Sequence, residues 1–397
     1  MRIGIDASRA FLKERTGTEE YSYQLIKALA KIDRKNQYTL YVKKNFPREA
    51  GSRSARQFSI RQPTDNFQLP KNFRFQAISW PYLWTQVGLA LECLKSPPDV
   101  LFIPAHTLPI LRWPNLKTVV TIHDLGAEFL PQSHKLPHKL YLNKATEYAS
   151  GYASQIIAVS ESTKNDLINK LHCDPKKISV IYEGYDREKF NPSTSPRGAG
   201  LRSGQEFKSG EVKKKYGIDG DYILFVGTIQ PRKNLVRLIE AFSVAKKQSS
   251  NSTINLVIIG KPGWMCEEIY EAPQKFGIGD KVKFLNYVSQ DDLPVFYQNA
   301  RCFVLPSLYE GFGLPILEAM ACGCPVLASN SSSLPEILGR AGILVDPLSV
   351  EEIAKNLKLV IDSPQLQKTL AEKGLAQVKK FSWEKCARET LEVLENS

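Results

Sequence analysis

No run of about 18 apolar residues occurs in this 397-residue chain, so the sequence offers no membrane-spanning helix. The opening MRIGIDASR places only two isoleucines before an aspartate, which cannot form the apolar centre of a secretory signal. Cysteine occurs seven times (93, 173, 266, 302, 322, 324, 386) but never as Cys-x-x-Cys, and Cys322-Gly-Cys324 has the wrong spacing for a zinc knuckle. Scattered thiols in odd number exclude a disulfide framework and lead us to expect reduced cysteines in a cytoplasmic protein. No basic motif interleaved with aromatics is found, so nucleic acid is not expected as a partner. With 43% hydrophobic and 24% charged residues, the composition is that of a globular protein and excludes disordered and fibrous classes.

Acid is scarce in the first half. Residues 1–185 carry 26 Lys and Arg against 16 Asp and Glu, net +10, whereas the remainder is only +2. Such a field attracts anionic lipid, a phosphorylated substrate or nucleic acid. Arginine is concentrated in Phe46–Arg74, which reads as a solvated loop. The most apolar segment, Trp80–Leu94, is short and contains Gln86 and Glu92, and reads as a mostly buried helix.

Strand-like and helix-like runs alternate along the chain. Strands are expected at Ile3–Asp6, Tyr38–Val42, Val100–Ile103, Thr118–His123, Gln155–Val159 and Ile178–Tyr182. After a linker-like stretch, Asn191–Asp221, they resume at Tyr222–Val226, Leu256–Ile259, Val282–Leu285, Cys302–Leu305, Val326–Ser329 and Ile343–Val345. Continuous Val/Ile/Leu runs imply strands covered on both faces, and strand–helix repetition implies parallel sheets. The expectation is therefore an α/β protein of two doubly wound, Rossmann-like domains, residues 1–185 and 186–380, facing across a cleft. A helix in 381–397, with Ser382 as N-cap, is expected to pack back on the first domain. Ligands of such sheets bind beyond the carboxyl ends of the strands.

Two segments of the second half carry chemistry. Gly227-Thr-Ile-Gln-Pro-Arg-Lys-Asn234 follows a strand and precedes an amphipathic helix, for which Asn234 is a credible N-cap. Arg232 and Lys233 then sit at the positive end of a helix dipole, where cations make sense if an anion such as a diphosphate lies between. The second segment is Leu305-Pro-Ser-Leu-Tyr-Glu-Gly-Phe-Gly-Leu-Pro-Ile-Leu-Glu318. Pro315 suits the first turn of a helix, and the backbone N–H groups of Gly311, Phe312, Gly313 and Leu314 can address phosphate or sugar. Glu310 and Glu318 would repel a diphosphate and are expected to face hydroxyls. The Glu-x7-Glu spacing recurs at 384 and 392, so context rather than spacing singles out the first pair. Asp219-Gly-Asp221 matches a metal-binding Asp-x-Asp, but precedes its strand and reads as a turn.

Together with FVGTIQPRKN and Thr121-Ile-His-Asp-Leu125, the runs from Leu285 to Tyr297, Pro306 to Gly323 and Ser332 to Glu336 make the chain resemble retaining glycosyltransferases of family 4, the glycosyl transferases group 1. The resemblance spans essentially the whole chain. It implies a GT-B fold, a sugar-nucleotide donor held mainly by the second domain, an acceptor held by the first, and no metal or other cofactor. By position, Glu318 is expected on the ribose hydroxyls, Glu310 on the donor sugar, and Lys233 with Arg232 on the diphosphate. Many members have arginine directly after the strand glycine; here that residue is Thr228. Asn286 stands where glycine is common, and Cys324 where threonine is common. In the first domain Gly17 is expected near the donor phosphates. His123 is expected beside the hexose, with Asp124 orienting it or receiving the acceptor hydroxyl; His106 is a lesser acceptor-site candidate.

The implied function is transfer of a hexose, mannose from GDP-mannose leading, to a hydroxyl of a lipid-linked or polysaccharide glycan. A UDP-hexose donor, or a sugar-nucleotide epimerase on the same fold, are the alternatives. The positive first half adds the expectation of peripheral contact with an anionic membrane at its cytoplasmic face.

Overall fold

The computed structural model describes residues 1–12, 15, 17–44, 68–80, 83–125, 136–192, 210–251 and 253–397. They divide into two compact units. One comprises Met1–Leu125, Leu136–Glu183 and Trp383–Ser397; the other, Gly184–Ser382.

The first unit is built on strands β1 (Arg2–Asp6), β2 (Gln37–Lys43), β3 (Phe73–Ile78), β4 (Val100–Ile103), β5 (Lys117–Ile122), β6 (Gln155–Ala158) and β7 (Ile178–Val180). Its helices are α1 (Thr18–Ile32), α2 (Ala90–Lys95), α3 (Leu136–Tyr152) and α4 (Glu161–Leu171). All neighbours in the sheet are parallel, in the order β3-β2-β1-β4-β5-β6-β7. The order reverses between β1 and β4, which places a topological switch point at their carboxyl ends.

The second unit repeats the plan with β8 (Tyr222–Val226), β9 (Asn255–Ile259), β10 (Val282–Leu285), β11 (Cys302–Leu305), β12 (Val326–Ser329) and β13 (Ile343–Val345). Its helices are α5 (Leu235–Gln248), α6 (Glu267–Lys275), α7 (Leu293–Asn299), α8 (Leu314–Ala321), α9 (Leu334–Leu338), α10 (Val350–Asp362) and α11 (Pro364–Gln377). The parallel order is β10-β9-β8-β11-β12-β13, with its switch point between β8 and β11. The terminal helix α12 (Trp383–Asn396) packs along α1 within the first unit.

The strands expected from apolar runs are present because they are buried on both faces. All four residues of β4, β11 and β12 are inaccessible to solvent. Two readings need correction. The Arg-rich stretch is not loop throughout: Phe73 and Arg74 open the edge strand β3, whose intermediate residues leave it half wet. Residues 46–67 of that stretch lie outside the described residues, as do 193–209 of the linker-like stretch. Trp80–Leu94 is not a mostly buried helix. A π-helical turn, Thr85–Leu89, runs into α2, with Trp80 and Leu83 exposed to 42% and 63%. Gly88 explains the local geometry, since a Cβ there would lie 2.8 Å from Trp80 and 2.9 Å from Ile78.

Candidate functional site

In the second unit, β8 and β11 flank the switch point, and the two segments singled out above are the loops that follow them. The first loop is pinned to the end of β9 by Ile229 N–H donating to the Lys261 carbonyl (3.0 Å) and Gly263 N–H to that of Ile229 (2.8 Å). A Cβ on Gly260 would fall 1.8 Å from the Gly227 carbonyl oxygen, so only glycine permits this approach. Pro231–Lys233 then form one 3-10 turn, and Asn234 takes the left-handed conformation (φ 60°) at the head of α5.

Asn234 holds the N-cap position but does not cap. Its amide donates to the carbonyls of Pro306 (3.0 Å) and Pro347 (2.6 Å), stapling the loop after β8 to the loop after β11. A left-handed Asn aims its side chain away from the orphan N–H groups of the helix. Leu308 N–H on the Arg232 carbonyl (2.9 Å) and Arg232 on the Tyr309 carbonyl (2.8 Å) complete the staple.

The staple converges Arg232, Lys233 and Glu310. The Lys233 ammonium lies 2.5 Å from Glu310 Oε1, the Arg232 guanidinium 3.6 Å from Oε2, and the Ser307 hydroxyl donates to Oε1 at 2.6 Å. The Glu310 carboxylate is 9% exposed. Burial pushes its pKa up, but the charges of Lys233 and then Arg232, with the hydrogen bonds from Lys233 and Ser307, outweigh burial and hold it below the ordinary 4.5. The anion demanded by two cations at a helix start is thus supplied by the chain itself. Glu310 faces these donors because a carboxylate so buried needs its counter-charge.

Serines fix the Glu310 backbone. The Ser332 hydroxyl accepts from Glu310 N–H (2.8 Å), while Ser333 donates to the carbonyls of Glu310 (3.0 Å) and Phe312 (2.9 Å). Gly311, Phe312 and Gly313 are buried, Gly313 turns at φ 105°, and Leu314 with Pro315 opens α8. Glu318 is half-buried further along α8, and its carboxylate accepts from the Tyr297 hydroxyl of α7 at 2.8 Å. Burial, then the Glu318 charge, push the Tyr297 hydroxyl well above its usual range, keeping it a donor.

In the first unit, the carboxyl ends of β4, β5 and β7 bring together a second group. His123, just past β5, is buried with its Nδ1 3.3 Å from Glu183 Oε1 and its Nε2 3.1 Å from the Pro104 carbonyl. Tyr21 of α1 stands edge-on to the ring at 4.6 Å, and the His106 ring lies 5.7 Å away. Burial and then the His123 charge push His106 down to about 4, against Asp124, which pulls it up. Asp124 follows, half-buried. Gly17, exposed at φ 46°, opens α1; Glu20 is paired with Arg15 (3.0 Å) and Glu19 lies 3.9 Å from Arg9.

Glu183, Ser307, Ser332, Ser333 and Tyr297 escaped the reading of candidate residues. Ser332 and Ser333 were visible only as letters in a family-like run, and nothing local marks Glu183. Asp221 of the Asp-x-Asp accepts from Arg301 (2.7 Å) and Asn251 (3.1 Å) at the amino end of β8. Among the described residues, no helix is long and apolar enough to cross a membrane.

Comparison with known proteins gives the family and the fold. Residues 208–377 match the family model described as glycosyl transferases group 1, and residues 15–189 that described as glycosyltransferase family 4. An O-antigen chain mannosyltransferase B of Escherichia coli is 31% identical over 276 residues, 69% of this chain and 69% of that protein. A serotype-specific mannosyltransferase WbdA of Escherichia coli is 29% identical over 298 residues, 73% of this chain but 34% of that protein. Among solved structures, the sucrose-phosphate synthase of Thermosynechococcus elongatus matches with a TM-score of 0.74 at 19% identity, covering 100% of this chain and 98% of that one. The fold is GT-B, with two Rossmann-like units.

Proposed function

Since the chain belongs to the glycosyl transferases of group 1 and family 4, we propose that this glycosyltransferase moves mannose from GDP-mannose to a hydroxyl of a lipid-linked or polysaccharide glycan, with retention of configuration. The names of the mannosyltransferase relatives support the sugar and the glycan acceptor. The observation that carries the reading is the convergence of Arg232, Lys233 and Glu310 at the switch point between β8 and β11.

In this reading Lys233 and Arg232 bind the donor diphosphate, with main-chain N–H groups of Gly311 to Leu314 at the head of α8. Glu318, steadied by Tyr297, takes the ribose hydroxyls; Glu310 takes the sugar. Gly17 approaches the phosphates. His123 positions the hexose, and Asp124 receives the acceptor hydroxyl. The bond from the anomeric carbon to the phosphate oxygen breaks, and the acceptor oxygen bonds on the same face. The acceptor proton passes to the departing phosphate. Cations and helix-end N–H groups stabilise the charge that develops there, a contribution of about 3 kcal/mol per well-placed donor. No step requires a metal. Exposed Trp113, Ile110 and Leu111 in the net-positive first half support peripheral contact with an anionic bilayer.

The test is turnover of GDP- and UDP-sugars with and without chelator. GDP-mannose should be consumed, at a rate chelator leaves unchanged, and NMR should show an α-linked product. Consumption of a UDP-hexose alone would reassign the donor; epimerised donor without acceptor would mean an epimerase. Loss of turnover with chelator, restored by manganese, would overturn metal independence.

A further inference from the structure

The His123 ring is held from both ends. Glu183 lies against Nδ1 and the Pro104 carbonyl against Nε2. A carbonyl and a carboxylate both accept, so each ring nitrogen faces an acceptor, and rotating the ring by half a turn would put carbon where the hydrogen bonds are. The orientation is therefore fixed by two contacts, one of which is a full charge.

That charge comes from a distance. Glu183 follows β7, two positions from β5 in the sheet order, with β6 between. Strand spacing sets about 10 Å between the ends of β5 and β7, so a long carboxylate side chain is needed to cross the end of β6. The sheet permits this because β6 ends in Ala158 and runs on to Val159 and the buried Ser160, whose hydroxyl caps α4. Ile181 N–H donates to the Ala158 carbonyl (2.9 Å), holding the chain beside β6 just before it reaches Glu183.

Among the described residues, the side chains of α1 and α12 packed there, Tyr21 and Cys386, give Glu183 no counter-charge. Tyr21 of α1 is raised well above its usual range, by burial first and with the nearby Cys386 and Glu183 adding to it. The Cys386 thiol of α12 is pushed up by burial and then by Glu183. Both groups stay neutral, and the Glu183 carboxylate is 5% exposed. A buried carboxylate is costly unless it is hydrogen-bonded, and the group against Glu183 is the His123 ring.

Resting on the reading of His123 as the sugar-positioning histidine, we infer that Glu183 is a positioning residue for the transfer reaction. It fixes the His123 ring through Nδ1 and acts on turnover only through that ring. This orienting part, which the sequence reading offered to Asp124, falls to a residue 60 positions away from the histidine.

The test uses the full chain with GDP-mannose and compares Glu183→Gln, His123→Asn and the double variant. Glutamine keeps the length and an acceptor oxygen but removes the charge. Glu183→Gln should lower kcat about 10- to 100-fold, the range seen when a carboxylate behind a functional histidine is lost, with little change in donor KM. In the His123→Asn background the same change should cost less than about twofold, because Glu183 has nothing left to hold. A merely structural role would instead lower thermal stability and multiply with His123→Asn. Multiplying losses, or a Glu183→Gln enzyme equal to wild type beside an impaired His123→Asn, would overturn the inference. A readout independent of turnover is the downfield Nδ1–H proton of His123 in the NMR spectrum. It should move upfield in Glu183→Gln and vanish in His123→Asn; an unmoved signal in Glu183→Gln overturns the inference as well. If wild type consumed no sugar nucleotide, the function reading would fail by itself and this proton would still decide the contact.

Discussion

Removing the Lys233 ammonium, as in Lys233→Met, strands a buried carboxylate. Methionine retains the aliphatic stem, so the change removes charge and little packing. Breaking a buried ion pair from one side costs about 3 to 5 kcal/mol. Here Arg232 at 3.6 Å and the Ser307 hydroxyl at 2.6 Å remain, so we expect a cost below that range, about 2 to 3 kcal/mol. For a unit of this size each kcal/mol shifts Tm by about 2 to 4 °C, giving a drop of roughly 4 to 12 °C at neutral pH. The pH dependence has a definite sign. In wild type Glu310 titrates below its ordinary 4.5, so the pair's stabilisation is complete above that value and is lost as pH falls through the lower, folded-state value. In Lys233→Met burial dominates, and Glu310 binds its proton more tightly folded than unfolded. The penalty is then largest at neutral pH and is relieved on acidification. The Tm gap between the two proteins should therefore narrow from pH 7 to pH 4. Lys233→Met with Glu310→Gln should recover most of the loss, since no buried charge remains. A gap that ignores pH, or that Glu310→Gln does not close, would refute the argument.

Two further substitutions test the loop and the helix after it. Gly313→Ala forces a left-handed φ on a residue whose Cβ would lie 2.8 Å from Leu334; it should cost about 1 to 3 kcal/mol in thermal unfolding and lower turnover by displacing the head of α8. Tyr297→Phe removes the hydroxyl on Glu318, and should raise donor KM severalfold, about 1 kcal/mol, with kcat little changed. A kcat effect without a KM effect would argue against Glu318 as a ribose contact.

How much of this could be read from the letters depended on whether a feature was local. β4, β11 and β12 are apolar throughout because both faces are buried, and such runs announce themselves. β3 did not, because an edge strand carrying Arg74 and Gln76 between apolar residues looks like the arginine-rich sequence before it. Asn234 stood in an N-cap position by sequence, yet its side chain was claimed by carbonyls 72 and 113 residues away. Arg232 and Lys233 were legible as an unusual pair of cations before a helix. Their partner, 77 residues on, was legible as a loop glutamate. That the two belong to each other depends on β8 and β11 being neighbours, which is a property of the sheet and of no segment. Glu183 is the extreme case, since its meaning arises only where β5 and β7 end on the same side of β6.

The Glu310 pair also changes what the two cations can do for a diphosphate. Arg232, Lys233 and Glu310 together carry one net positive charge, less than a diphosphate requires. The remaining neutralisation in the proposed reaction must come from oriented main-chain N–H groups at the start of α8 and from elsewhere around the donor. The Lys233→Met/Glu310→Gln variant keeps that same net charge, on Arg232 alone, and separates quantity of charge from its placement. If net charge were all that mattered, donor affinity and turnover would both survive. If the ammonium and carboxylate act as placed groups, donor binding should weaken modestly while kcat falls by more than about tenfold, because interactions made chiefly in the transition state appear in kcat. Wild-type turnover in this variant would leave the family likeness intact but remove Lys233 and Glu310 from the chemistry.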